Sequence, residues 1–380
     1  MMDYYEFDLA GAARFADDFV GGALSSSEVG DGNLNRVFRV GGKRGSVVVK
    51  QALPYLKVAG ADWPLTRRRA WIERSALEAH GEMVPDLLPD VIHFDDDLSA
   101  LVLEDLHAHE NWRDLLIAGR ETPGIAAQVG RYSAAVLLGT GHLATGQRRT
   151  AMRRTFGYSD LCLLTETLVF TAPFTAAESN RVEDALAPTV AALASDSALR
   201  AAAAQLRYVF RTRNEALIHG DLHSGSVLVG ADGARIIDLE FAFFGPMGFD
   251  IGLLIGNLAL SSIAHASNGN ERYARVVAGY AAEFWNAFVD ESARIWRPGE
   301  PWFHPFIAGV IADAARFAGL EMIRRTVGLA HVRDIDSLPE APRLAAQLQS
   351  VDGGRSLVLG PTCTTFAELW ARATRNDHLI

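Results

Sequence analysis

Three carboxylates in one stretch of the chain have the spacing of a phosphoryl-transfer centre. Asp221 lies in the loop-like segment 218–226, and Asp238 and Glu240 follow an apolar hairpin. Residues two apart on a strand share a face, so we expect Asp238 and Glu240 to point the same way. Two carboxylates side by side repel each other unless a proton or a cation relieves them. Mg²⁺ bridging nucleotide phosphates is the cation that such a pair would serve, with Asp221 as a positioned base.

A second group of residues near the N-terminus has the order expected of a phosphate-binding site. The glycine-containing segment 30–35 precedes a predicted hairpin with strands 37–40 and 46–50, although an ordinary turn has a similar composition. Lys50 ends the second strand. Taken alone, it could be a phosphate-binding lysine or an ordinary surface lysine at a strand end. A Gly loop, a strand ending in Lys and a helix with a glutamate follow each other in kinases. This order predicts that Lys50 pairs with Glu73, with Glu78 as the second choice.

His219 and His223 admit two interpretations. Their spacing of four could be that of a zinc pair, but Gly220 between them disfavours a helix and no third ligand is evident. We therefore interpret both histidines, together with Ser226, as a hydrogen-bonding scaffold that fixes the loop around Asp221.

The elements that must position these residues change in character near residue 107. Before it, short β-branched runs and a helix at about 66–79 predict a small antiparallel sheet with one helix packed on it. Beyond it, alanine-rich and amphipathic segments at 124–143, 181–194, 197–211, 273–289 and 305–329 predict helices. We expect an α+β protein with a lobe at 1–106 and a larger, mainly helical lobe at 107–380.

The composition excludes several classes of protein. The net charge of −10 argues against a nucleic-acid partner, and we expect the basic clusters 67–69, 148–149 and 153–154 to be solvated helix faces. The two cysteines lie far apart, so a disulfide framework is not expected. The N-terminus does not have the pattern of a secretory signal, and the apolar run 251–260 is too short to span a membrane. We therefore expect a cytoplasmic protein without a membrane partner.

Five segments, in this order along the chain, together resemble the S-methyl-5-thioribose kinase family. They are Gly30-Asp31-Gly32-Asn33-Leu34-Asn35, Gly60-Ala61-Asp62-Trp63-Pro64-Leu65, residues 219–226, residues 238–252 and residues 322–331, which contain Arg324-Arg325. The resemblance implies the two-lobed protein-kinase-like fold that aminoglycoside and choline phosphotransferases share. It also implies transfer of the γ-phosphate of ATP to the anomeric 1-hydroxyl of methylthioribose in methionine salvage, with Mg²⁺ as the metal and a homodimer as the assembly.

The resemblance also implies a role for each matching residue. Asp221 would be the catalytic acid–base residue, Asp238 and Glu240 the Mg²⁺ ligands, and Ser226 would stand where protein kinases have a metal-binding asparagine. The ATP-binding residues would be Gly30, Asp31, Gly32, Asn33, Asn35, Lys50, Glu73 and the hinge residues Leu103, Glu104 and Leu106. The substrate-binding residues would be Trp63 on a flap, Asp221, Arg324 and Arg325.

Two departures and two alternatives accompany this assignment. The chain has Leu239 where the family often has proline, and residues 158–162 where it commonly has an Asn-Pro-Glu-like segment, which bears on substrate choice. A kinase of the same fold could instead act on 5-deoxyribose, a related sugar, an aminoglycoside or an amino alcohol. A nucleotide-binding regulatory protein without turnover is the alternative from another class.

Overall fold

The structure, a computed structural model, describes residues 4–29, 34–57, 60–141, 143–175, 177–296 and 301–375. In these ranges the N-terminal sheet is antiparallel and has the strand order β1-β2-β3-β7-β6. Beside it, β4 and β5 form a separate hairpin. The strands are β1 (Ala23–Glu28), β2 (Asn35–Gly42), β3 (Gly45–Ala52), β4 (Tyr55–Leu56), β5 (Gly60–Pro64), β6 (Val91–Asp95) and β7 (Ala100–Glu104).

Two helices, rather than the single predicted one, cover this sheet: α1 (Leu9–Val20) and α2 (Arg69–Gly81). Side chains alternate between the two faces of a strand. Val102 of β7 accordingly joins the apolar cluster beneath α1, whereas Leu101 and Leu103 join the large cluster that includes α2. The prediction missed α1, although the Asp8 side chain caps its N-terminus by accepting a hydrogen bond from the Gly11 N–H, a recognisable start signal.

The rest of the chain is mainly helical, as predicted. Its helices are α3 (Trp112–Ile117), α4 (Ile125–Thr140), α5 (Gly146–Thr155), α6 (Asp160–Thr165), α7 (Ala187–Ser195), α8 (Ser197–Thr212), α9 (Met247–Ser267), α10 (Glu271–Ile295), α11 (Phe303–Val327), α12 (Arg333–Asp336), α13 (Glu340–Leu359) and α14 (Phe366–Thr374). Its short strands are β8 (Glu110–Asn111), β9 (Ala216–Ile218), β10 (Val227–Gly230), β11 (Gly233–Ile236) and β12 (Phe243–Gly245).

The helix predicted at 181–194 is shorter than expected. A 3₁₀ turn occupies Asp184–Leu186, and α7 begins only at Ala187. Pro188 explains the late start, because proline has no N–H to donate and is tolerated in the first turn of a helix but not in its interior.

Helix α9 is the centre of the helical region and packs against α10, α11 and α13. A side chain at Gly252 would come within 2.6 Å of the Ala314 carbonyl oxygen, so glycine permits the close approach of α11. Among the described residues, α9 is the one helix long and apolar enough to cross a membrane, but the apolar window that qualifies it is wholly buried. It is therefore placed as a core helix, and it brings the end of α11 close to the loop after β9.

Candidate active site

The loop carrying Asp221 is held by backbone hydrogen bonds to a buried carboxylate. Asp250, in the first turn of α9, accepts the N–H of His219 at 2.6 Å and of Gly220 at 2.9 Å. Gly220 has a φ of +84°, and a side chain there would lie 2.2 Å from the Phe241 carbonyl oxygen. Only glycine fits this position, and the two hydrogen bonds to Asp250 hold the loop that presents Asp221.

The predicted scaffold residues contact the backbone of the loop. His219 Nδ1 accepts the Asp221 N–H at 3.3 Å, which leaves Nε2 protonated to donate to the Ile237 carbonyl at 2.9 Å. Ser226 Oγ donates to the Asp221 carbonyl at 2.9 Å and lies 3.0 Å from His223 Nδ1. Both His219 nitrogens are thus in use, and this arrangement disfavours the zinc-pair interpretation. Burial lowers the pKa of His223, so it is neutral at physiological pH.

Asp238 and Glu240 converge, but the reason expected from the sequence was wrong. Strand β11 ends at Ile236, and Asp238 has a φ of +67° at the start of the 3₁₀ turn Leu239–Phe241. The two residues therefore share a tight turn rather than a strand face. Asp238 Oδ1 lies 2.6 Å and Glu240 Oε1 3.9 Å from Lys50 Nζ. The Asp238 side chain is 49% exposed and opens to solvent, whereas the Glu240 side chain is buried.

Lys50 is a buried ammonium surrounded by three carboxylates. Besides Asp238 and Glu240, it contacts Glu73 Oε1 of α2 at 2.8 Å, the first of the two predicted partners. The second choice, Glu78, pairs with Arg74 instead. Burial opposes the charge of Lys50, but the three acids raise its pKa above the ordinary value. Burial raises the pKa of Glu73 to about 7, against the lowering effect of Lys50.

Arg69 was expected on a solvated helix face and is instead buried at this site. Its Nε lies 3.2 Å from Glu240 Oε2, and its Nη1 donates to the Leu53 carbonyl at 2.7 Å. Asn35 bridges the pair, because its Nδ2 donates to Glu240 Oε1 at 2.9 Å and its Oδ1 accepts from Arg69 Nε at 3.1 Å. Arg69 lies four residues before Glu73, and this shared helix face is the sequence signal that could have revealed it.

The donor set fits a hard divalent cation. Glu240 Oε2 is buried, and its ion pair with Arg69 Nε at 3.2 Å leaves it without a well-aligned hydrogen bond from the described residues. Asp238 adds a solvent-facing carboxylate from the same turn. Oxygen ligands of this kind suit Mg²⁺ or Ca²⁺. Asp238 and Glu240 are the residues that would hold such an ion.

The two arginines near the end of α11 lie beside Asp221. Arg324 Nη2 is 3.3 Å and Arg325 Nη2 3.6 Å from Asp221 Oδ1, and both arginine side chains are 8% exposed. Both Nε atoms also contact Glu321, a fully buried carboxylate that sequence reasoning missed. The site therefore has one end with Asp221 between cations and another with Lys50 among acids.

Trp63 lies on strand β5 and is partly buried. It packs on a small apolar cluster that also contacts Phe241, the last residue of the turn after Asp238, and Leu329, just beyond the arginines. The buried members of this cluster are Leu56, Leu65, Leu161 and Leu164. The structure thus places the tryptophan in an apolar cluster that reaches both the turn with Asp238 and Glu240 and the end of α11 with the two arginines.

The remaining predicted ATP-binding residues lie at the sheet. Asn35 opens β2, Leu103 and Glu104 end β7, and Leu106 is buried just after it. The Glu104 N–H already donates to the Asp90 carbonyl at 2.9 Å. The other predicted residues of the glycine-containing segment, Gly30, Asp31, Gly32 and Asn33, lie outside the described residues.

Comparison with known proteins identifies the family to which this chain belongs. A model of the phosphotransferase enzyme family matches residues 26–294. A methylthioribose kinase of Bacillus thuringiensis (strain Al Hakam) is 39% identical over 341 residues, covering 87% of this chain and 86% of the relative. Another, from Bacillus cereus (strain G9842), is 38% identical over 371 residues, covering 94% of this chain and 93% of the relative.

Among solved structures, a choline kinase from Cryptosporidium parvum Iowa II is similar with a TM-score of 0.52 at 12% identity, covering 93% of this chain and 99% of that one. That likeness shows the fold, which agrees with the predicted protein-kinase-like architecture. The chain belongs to the phosphotransferase enzyme family and, within it, to the methylthioribose kinases, which transfer a phosphoryl group to a hydroxyl group.

Proposed function

We propose that this protein phosphorylates the anomeric 1-hydroxyl of S-methyl-5-thioribose with ATP and Mg²⁺, in methionine salvage. The observation that carries the proposal is the position of Asp221. Its carboxylate lies 3.3 and 3.6 Å from two buried guanidinium groups. The loop that carries it contacts the segment before Asp238, because His219 Nε2 donates to the Ile237 carbonyl, and Asp238 and Glu240 in turn contact Lys50. This is the layout that positions a hydroxyl against a terminal phosphate.

In the reaction, the sugar oxygen forms a bond to the γ-phosphorus while the bond from that phosphorus to the β–γ bridging oxygen breaks and ADP leaves. Asp221 orients the hydroxyl and accepts its proton. Arg324 and Arg325 offset the negative charge on the transferred group, and Lys50, held by Glu73, contacts the α- and β-phosphates.

The metal would be held by Asp238 and Glu240, and when bound it neutralises charge on the β- and γ-phosphates. Asn35 and Arg69 keep Glu240 in place, since both contact its carboxylate. In this proposal Ser226 does not bind the metal as the corresponding asparagine of protein kinases does, because its hydroxyl donates to the Asp221 carbonyl.

Two features of the site favour a neutral sugar with an apolar tail over the alternative acceptors. The Nη groups of Arg324 and Arg325 can donate hydrogen bonds to sugar hydroxyls, but the ammonium groups of a cationic aminoglycoside or amino alcohol have no acceptor for them. Trp63 and its apolar cluster offer a surface for a methylthio group. The sequence departure at residues 158–162 lies at the start of α6, which contributes Leu161 and Leu164 to that cluster.

A coupled ADP-release assay across methylthioribose, 5-deoxyribose, ribose and an aminoglycoside tests this proposal. We expect methylthioribose to have the highest kcat/KM. Preference for another acceptor would replace the substrate assignment and leave the kinase chemistry in place. ATP binding without ADP release on any of them would favour the regulatory alternative.

We also propose a domain division, an assembly and a location for this protein. The chain divides into lobes at 1–106 and 107–380, with the hinge backbone at Leu103, Glu104 and Leu106 meeting adenine. It acts as a homodimer. It is a cytoplasmic enzyme with no nucleic-acid or membrane partner.

A further inference from the structure

Glu321 is a fully buried carboxylate to which three donors converge. Arg324 Nε donates to Oε2, while Arg325 Nε and Asn257 Nδ2 both donate to Oε1 at 2.8 Å. Its side chain is 0% exposed, and it lies on α11 one turn before the two arginines. An isolated buried carboxylate is costly, so its placement here requires these partners.

The contacts with Glu321 determine which edge of each arginine faces the reacting groups. A guanidinium is planar and rigid, so fixing its Nε–H on one side fixes the direction of its Nη atoms. With both Nε groups held by Glu321, the Nη2 atoms of Arg324 and Arg325 point to Asp221 Oδ1 at 3.3 and 3.6 Å. The two positive charges are matched by Glu321 on the inner side and Asp221 on the outer side.

A second chain of hydrogen bonds ties Glu321 to the catalytic loop. Asn257 of α9 donates to Glu321 and accepts from Arg113 Nη2 at 2.9 Å, and Arg113 Nε donates to Ser224 Oγ of the loop at 3.2 Å. Arg113 also lies 3.5 Å from the buried Asp334. The carboxylate of Glu321 is therefore fixed relative to the loop that carries Asp221.

We propose that Glu321 is the positioning residue of the acceptor end of the site: by holding both Nε groups, it presents the outer edges of Arg324 and Arg325 to the sugar and to the transferred phosphoryl group. The inference rests on the proposed function for the identity of those ligands. Burial alone would raise the pKa of Glu321, but Arg324 and Arg325 lower it below the ordinary value of a glutamate, which favours the charged form.

Two substitutions separate charge and geometry from simple packing. Glu321→Gln keeps the shape of the side chain but has only one acceptor oxygen. This oxygen should occupy the Oε1 position, because two donors point there. The amide NH₂ then faces the Arg324 Nε–H, so two donors oppose each other. Glu321→Asp keeps the charge and both acceptor oxygens. Asp313→Asn is the matched control, because Asp313 also lies on α11 and pairs with an arginine, Arg213, away from Asp221.

We expect Glu321→Gln to raise the KM for methylthioribose about 10–100-fold, the range for one misplaced charge-assisted hydrogen bond, and to change the KM for ATP less than about threefold. In Glu321→Asp the KM for methylthioribose should rise less than about tenfold, and in Asp313→Asn both KM values should stay unchanged. If kcat fell equally in the Gln and Asp variants while both KM values stayed unchanged, the role of Glu321 would be purely structural and the proposal would be overturned.

A crystal structure of the Glu321→Gln variant tests the same inference without any assumption about the substrate. The Arg324 guanidinium should have turned away from Asp221. Unchanged arginine positions would overturn the positioning role even if methylthioribose is the substrate. Absence of activity of the unmodified enzyme on every sugar, with a displaced Arg324 in the variant, would overturn the proposed function and leave this inference standing.

Discussion

Replacing Lys50 with methionine should destabilise the protein in a pH-dependent way. The Lys50 ammonium is buried and contacts three carboxylates, of which Glu73 is also buried and Asp238 is half exposed. Removing one partner of a buried ion pair costs about 3–5 kcal/mol, while the loss at the exposed partner adds at most about 1 kcal/mol. We therefore expect a loss of about 3–6 kcal/mol in the free energy of unfolding at pH 8.

The sign of the pH dependence follows from Glu73. Its pKa is about 7 beside Lys50 and rises further without the ammonium, so the folded variant binds a proton more tightly than the unfolded chain does. A group whose pKa is higher in the folded state contributes stability at low pH. The protein loses this contribution as the pH rises from the unfolded pKa of the group, about 4.3 for glutamate, through its folded pKa. The deficit of the Lys50→Met variant should therefore be smaller at pH 6 than at pH 8.

Urea denaturation at both pH values measures this effect. Lys57→Met is the matched control, because Lys57 forms an ion pair with Glu28 at 2.9 Å on the surface. That variant should change stability by no more than about 1 kcal/mol at either pH. An equal deficit at pH 6 and pH 8 in the Lys50→Met variant would show that an unneutralised buried Glu73 does not cause the loss.

Three further predictions follow from the site. Glu240→Gln should raise the Mg²⁺ concentration for half-maximal activity at least about tenfold in a metal titration, because a charged oxygen ligand is lost. Gly220→Ala should lower the free energy of unfolding by about 1–3 kcal/mol or more in urea denaturation, while Gly119→Ala, with φ +67° but open space around it, should cost less. Trp63→Ala should raise the KM for methylthioribose about tenfold and leave the KM for ATP unchanged in steady-state kinetics.

Each of these has a distinct contradicting result. An unchanged magnesium requirement would remove Glu240 from the metal site. Equal losses in the two glycine variants would mean that the Phe241 carbonyl does not limit position 220. A rise of both KM values in the tryptophan variant would indicate a general effect on the fold rather than a contact with the sugar.

The sequence order predicted the pairing of Lys50 with Glu73 because it depends on local elements, a strand end and the helix that follows. The convergence of Asp238 and Glu240 was predicted for a wrong reason, since alternation along a strand requires the strand to continue and β11 ends at Ile236. The turn conformation depends on Asp238 adopting a positive φ, which no local pattern indicates for an aspartate in this position.

A local signal existed for Arg69, its shared helix face with Glu73, but a competing pattern obscured it, and Glu321 had no local signal. Arg69 belongs to a run of three arginines, which is typical of a solvated face, and its burial depends on Glu240 far along the chain. Glu321 lies in an otherwise apolar helix segment, and its function depends on α9 supplying Asn257 and on the loop supplying Asp221. Both residues acquire their role only when distant elements pack together.

In the proposed reaction, Asp221 is the base that activates the sugar hydroxyl. Asp221→Asn keeps the shape of the side chain and removes its capacity to accept a proton. We expect turnover of methylthioribose to fall about 10²–10⁴-fold, while the dissociation constant for ATP, measured by calorimetry, stays unchanged. Full turnover in this variant would show that Asp221 is not the base.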